Sequence, residues 1–136
     1  VGFRPVVERV ATELGEGAVV AEVEIGPHSA RLVEFFGIRE TPTVVFYDGY
    51  EQGVRYKGPR EPAALSAWIR RSADPCTPLH SAHSAEAFLE AEELSLVACP
   101  DLPAAAEVVR RAARRAREVR CGLGVAEEAC QVLGVR

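Results

Sequence analysis

Four cysteines, Cys76, Cys99, Cys121 and Cys130, are the residues of this chain best equipped for chemistry. A thiolate is a nucleophile and a metal ligand, and a thiol is half of a disulfide. Spacing narrows those options. No two cysteines form C-x-x-C, and no histidine stands at zinc-finger distance from them. Four cysteines in a chain of this length are too sparse for a disulfide scaffold, so buried free thiols are the expected state. A bridge from Cys76 or Cys121 stays open, because sequence alone cannot pair them. Cys99 is followed by Pro100-Asp101-Leu102, which offers no second sulfur. It could enter a mixed disulfide, but it reads as a thiol at a strand end. His28, His80 and His83 have no ligand spacing and read as surface residues. Arg110, Arg111, Arg114, Arg115, Arg117 and Arg120 are the only basic cluster. Glu107 and Glu118 are interspersed and an apolar stripe lies opposite, so the cluster reads as a solvated helix face. The last candidate is Thr41-Pro42-Thr43, ahead of the apolar run Val44 to Tyr47. Proline donates no backbone hydrogen bond, so its place at the mouth of a buried strand needs a reason.

These residues depend on the elements that carry them. Val7, Val10, Ala11 and Leu14 fall on one face, which predicts a helix over 5–14 that Gly15-Glu16-Gly17 ends. Valine-rich 19–25 predicts a strand stopped by Gly26-Pro27. Ser29 fits an N-cap for a helix bearing Leu32, Val33, Phe35 and Phe36, with Gly37 as its stop. Residues 43–47 read as a second strand, apolar throughout and therefore covered on both faces. Asp48-Gly49 opens a turn into a returning strand at 53–57. Pro62 opens a helix with Leu65, Trp68 and Ile69 inward. Asp74-Pro75-Cys76-Thr77-Pro78 marks a boundary. Beyond it come a helix at 84–92, a strand at 94–99, a helix at 103–119 striped by Ala105, Val109, Ala112, Ala116 and Val119, a strand at 120–123 and a helix at 126–133. Strands alternating with helices imply parallel pairing. Phe36-Gly37-Ile38-Arg39 and Leu133-Gly134-Val135-Arg136 form a weak internal repeat, which suggests two copies of one fold.

The chain has 136 residues, 48% of them hydrophobic and 7% aromatic, enough for one domain or two small ones. A net charge of −4 gives no basic field for nucleic acid. No stretch reads as a signal peptide or approaches the length of a membrane span. The sequence contains no methionine, so a processed chain or a fragment is expected.

Three segments carry a resemblance. "GIRETPTVVFYDG" (37–49) resembles the G-[IV]-x-x-x-P-T-[IVL]-x-x-[FY] segment of thioredoxin-like proteins. "YKGPREPAALSAWI" (56–69) is similar to the Y-x-G-x-R-x-x-x-x-[IL]-x-x-[FWY]-[IVL] ending of protein disulfide isomerase catalytic domains. "VGFRPVVERVATEL" (1–14) looks like the helix that follows the family's C-x-x-C, and Pro5 stands where that helix carries a proline.

The resemblance implies an α/β, thioredoxin-like fold in two tandem incomplete domains. Residues 1–73 would be a catalytic-type domain lacking its first strand and C-x-x-C, and residues 79–136 part of a non-catalytic one. The second active-site cysteine would then immediately precede Val1. The absent strand would be central, between the strands at 19 and 43, and its loss would leave a gap in the sheet. Thr41-Pro42 matches the family's cis-proline, which faces the dithiol and offers backbone groups to an extended substrate. Arg60 matches the arginine that lowers the thiol pKa of the second cysteine. One departure is Val45, where isomerase domains often carry a lysine paired with a buried glutamate. The implied function is disulfide oxidation, reduction or isomerisation in folding polypeptides of the endoplasmic reticulum lumen. No cofactor, metal or nucleic acid is implied, and membrane attachment is left open. The rival is a redox-inactive, chaperone-like module in which the proline segment only shapes a peptide groove.

Overall fold

The computed structural model describes residues 2–49, 51–91, 93–116 and 118–134. They fall into two compact units, residues 1–73 and 74–136.

In the first unit, α1 (Arg4–Leu14) carries its proline in the first turn, where the missing N–H costs nothing, and ends at Gly15, whose φ is 53°. A 3-10 turn (Gly15–Gly17) follows. Ser29 stands at the N-cap of the next helix, but its hydroxyl makes no cap bond there. It accepts from the Gly26 N–H at 2.9 Å and donates to the Gly26 carbonyl at 3.0 Å, closing a 3-10 turn over Pro27–Ser29. The next helix, α2 (Ala30–Phe36), stops at Gly37 in the left-handed conformation. The Arg55 guanidinium donates to the carbonyls of Phe36 (2.7 Å) and Gly37 (2.5 Å), a cation on the negative end of that helix. Strands β1 (Val45–Phe46) and β2 (Val54–Arg55) form a short antiparallel hairpin. Gly53 (φ 68°) is required there, because a Cβ would run into the Phe46 carbonyl and the Val45 side chain. α3 (Pro62–Ala73) packs on α1 through Val10, Leu65, Trp68 and Ile69, all buried, with Val44, Phe46, Val54 and Tyr56 against them.

Two expectations fail in this unit. Residues 18–25 join no strand, and Val19 is 99% exposed, with Val23 and Ile25 about half exposed. Valine-rich composition makes a segment suited to a strand, but only a neighbouring ladder makes it one. The 43–47 run is also not covered on both faces. Val44 and Phe46 pack inward, while Tyr47 is exposed against Phe35 and Phe36.

The second unit is a three-stranded parallel sheet in the order β3-β5-β4, covered on both faces. Its first strand, β3 (Cys76–Leu79), lies across the segment 74–78 expected to mark a boundary. Pro78 is tolerated because β3 is an edge strand paired only with β5 (Arg120–Gly124). Ser81 caps α4 (Ala82–Leu89) by accepting from the Ser84 N–H at 3.1 Å. β4 (Ser95–Ala98) leads to α5 (Pro103–Arg115), and β5 leads to α6 (Glu127–Val132). Alternation splits the side chains between two cores. Cys76, Cys121 and Leu123 face α5 through Ala106, Val109 and Ala113. Leu79 and Val97 face α4 and α6 through Ala85, Phe88 and Ala129.

The inward stripe of α5 is therefore Ala106, Val109 and Ala113, not the row through Ala105, Ala112 and Ala116, which are exposed. In so alanine-rich a helix, adjacent rows differ too little for composition to choose between them. The basic face is not wholly solvated either. Arg114 is 8% exposed and paired with Glu107 at 2.7 Å, two turns back. Arg110 reaches Asp74 at 3.7 Å, and Arg120 lies over the Phe88 ring and bridges to Glu93 at 3.3 Å. Arg117 lies outside the described residues, as do Val135 and Arg136 of the short repeat. The repeat's glycines, Gly37 and Gly134, both take positive φ at the end of a helix. Among the described residues, no helix is long and apolar enough to cross a membrane.

Candidate functional site

The sequence-selected residues of the first unit fall at the head of α1 and on the loop before β1. α1 has Phe3 as its N-cap and no acidic residue in its first turn, so the positive end of the helix dipole is not neutralised there. The Arg60 guanidinium lies 5.8 Å from the centre of the Phe3 ring, a cation–π distance. A helix N-terminus and a guanidinium thus act at one corner. Both favour a thiolate over a thiol.

Local chemistry fixes Arg60 there. The Tyr56 hydroxyl donates to the Pro59 carbonyl at 2.5 Å, which folds the chain back just before Arg60. The Tyr56 ring covers Gly58 so closely that a Cβ on that glycine would lie 2.7 Å from ring atoms. The Tyr56 ring also packs against Trp68 of α3, centroid to centroid at 5.0 Å. The Y-x-G-x-R spacing is therefore a mechanical unit in which tyrosine clamps the glycine turn and the turn presents the arginine. Arg60 stands out in the sequence, whereas the tasks of Tyr56, Gly58 and Phe3 emerge only in the fold. The signal was present in the spacing of tyrosine, glycine and arginine.

Thr41 and Pro42 are exposed, and the bond between them is cis. The turn that contains them is closed by the Thr43 hydroxyl, which donates to the Glu40 carbonyl at 2.5 Å. Val45, at the position where a lysine would stand, is part of β1 and pairs with Arg55. α1 and α3 are joined by a hydrogen bond from the Ser66 hydroxyl to Glu13 at 3.0 Å.

The cysteines overturn the expectation of free thiols. Cys76 and Cys121 are bridged, with an S–S distance of 2.11 Å and Cα atoms 4.5 Å apart. Cys99 and Cys130 are bridged, with an S–S distance of 2.17 Å and Cα atoms 5.8 Å apart. No cysteine is free. The reason is tertiary. The register of β3 on β5 sets Cys76 directly opposite Cys121, and Cys99, just past β4, meets Cys130 on α6. Once residues 74–78 are read as a boundary and not a strand, the first pair cannot be seen. The even count of cysteines, all in the second half of the chain, was the available signal. Among the described residues, no cluster of three or more His, Cys, Asp or Glu side chains is placed to hold a metal ion.

No protein-family model matches the chain. Protein disulfide-isomerase A2 of Pongo abelii is 33% identical to it over 86 residues, which cover 60% of this chain and 16% of that protein. This similarity supports a relationship to the thioredoxin-like protein disulfide isomerases. The chain spans a small part of the curated relative it matches. The mixed α/β architecture, with helices on a parallel sheet, fits a thioredoxin-like fold.

Proposed function

We propose that this chain is part of a thiol–disulfide oxidoreductase of the protein disulfide isomerase type, acting on disulfides of folding polypeptides. The observation that carries the proposal is the Arg60 guanidinium over Phe3 at the head of α1. A cysteine pair immediately ahead of Val1 would have its second sulfur stabilised as a thiolate by the helix dipole and by Arg60. Thr41 and Pro42 would form the opposite wall and offer backbone groups to an extended polypeptide. The two tandem incomplete domains, residues 1–73 and 79–136, belong to the same proposal. So does a location in the endoplasmic reticulum lumen, which two disulfides and no free cysteine suit, because disulfides persist in oxidising compartments.

The test is insulin reduction by the protein produced together with the residues that precede Val1. Activity should require a C-x-x-C in that segment and vanish when both cysteines become serine. Arg60→Gln should slow turnover about tenfold, the effect of roughly one pKa unit on the thiol. A preceding segment without C-x-x-C would end the enzymatic reading. One observation favours the rival, a redox-inactive peptide-binding module. Leu32, Phe35 and Tyr47 are each 45–50% exposed, and the Phe35 and Tyr47 rings touch edge to face, so these apolar groups share one exposed patch. Suppression of client aggregation that persists in the cysteine-free protein would support it.

A further inference from the structure

The two disulfides of the second unit differ in access. Cys76 and Cys121 are 4% and 3% exposed, joined across two hydrogen-bonded strands and roofed by Val109 and Ala113 of α5. Cys99 and Cys130 are only half-buried, and their bridge joins the loop after β4 to α6. Beneath it lies Gly124, buried at the end of β5. A Cβ on Gly124 would stand 2.5 Å from the Cys99 sulfur and 2.6 Å from the Cys130 sulfur. The sulfurs thus rest in a recess kept open by a glycine, between residues less buried than Cys76 and Cys121. Breaking this bridge would not unseat α6, because Ala129 is fully buried and Val132 and Leu133 pack beside it.

We infer that Cys99–Cys130 is an exchangeable disulfide, a second redox site that accepts electrons from thiols while Cys76–Cys121 stays locked. A donor thiolate attacks one sulfur of the bridge. The S–S bond breaks, a mixed disulfide forms, and the other cysteine leaves as a thiolate that takes a proton from solvent. A second donor thiolate then attacks the donor sulfur of the mixed disulfide. The donor departs as a disulfide and the remaining cysteine is released as a thiolate. Two donor thiols are oxidised and the bridge gains two electrons. Exposure favours this bridge, because a buried disulfide can be attacked only after local opening of the strands around it. The site belongs to the second unit and does not depend on any cysteine ahead of Val1.

The test uses the unaltered protein in two arms, reduced glutathione and a reduced peptide carrying two cysteines. Thiols are trapped by alkylation over time and assigned by peptide mass mapping, with amide exchange of β5 followed in parallel. Cys99 and Cys130 should be trapped at least about tenfold faster than Cys76 and Cys121, with β5 still protected, and should re-pair in oxidised glutathione. The arm that reacts identifies a small thiol or a polypeptide as the donor. Equal rates for the two bridges in both arms, or opening of Cys99–Cys130 only with loss of β5 protection, would overturn the inference.

Discussion

The core of residues 1–73 is closed by aromatic side chains. Trp68 stands between Phe46 and Tyr56, over the interface of α1 and α3. The core of residues 74–136 has Phe88 as its one aromatic residue and is closed by small side chains, a parallel sheet and two disulfides. Among the described residues, the first unit has two strands of two residues each and leaves Val19 exposed, whereas the second has a central strand buried from Cys121 to Gly124. One unit relies on large apolar area concentrated in a few residues, the other on backbone pairing reinforced by covalent links. Damage should therefore be local and different in kind.

The harshest way to break the comparison is Trp68→Ala. It should cost the first unit about 3–5 kcal/mol, a large fraction of a small domain's stability. Amide exchange in α1 would read it, and equal loss of protection in β5 would show that the two cores are not separate. Replacing both Cys76 and Cys121 by alanine should cost the second unit about 2–4 kcal/mol. Trp68 is the only tryptophan, so its fluorescence transition in urea reports the first unit and should not move. Gly124→Ala should cost about 1–3 kcal/mol by overpacking against the Cys99–Cys130 sulfurs. The cost should shrink when both of those cysteines are alanine, which a double-mutant cycle would measure. The mildest change, Tyr56→Phe, removes the hydrogen bond to the Pro59 carbonyl. It should cost about 0.5–1.5 kcal/mol, with exchange rising first in the turn before Arg60.

Several features were legible because they depend on neighbours in sequence. The helical period of Leu65, Trp68 and Ile69 marked the buried face of α3, and Gly37 marked the end of α2. Pro42, Arg60 and their spacing led to the likeness to disulfide isomerases, to one of which the chain is 33% identical over 86 residues. Other features were misread for definite reasons. The prolines of 74–78 disguised β3, which tolerates Pro78 only because it lies at a sheet edge. Valines made 19–25 read as a strand, yet no ladder holds it. Alanines on several rows of α5 hid which row faces the sheet.

The sequence by itself determined the order of most elements, the placing of the proline and arginine segments, and the likeness to disulfide isomerases, since local propensity and motif spacing are written along the chain. Only the tertiary structure decided which cysteines meet and how far each bridge is exposed. It also decided that Tyr56 clamps Gly58 so that Arg60 reaches Phe3. Those depend on strand register and on side chains brought together from distant positions, and neither is encoded in any single stretch of the chain.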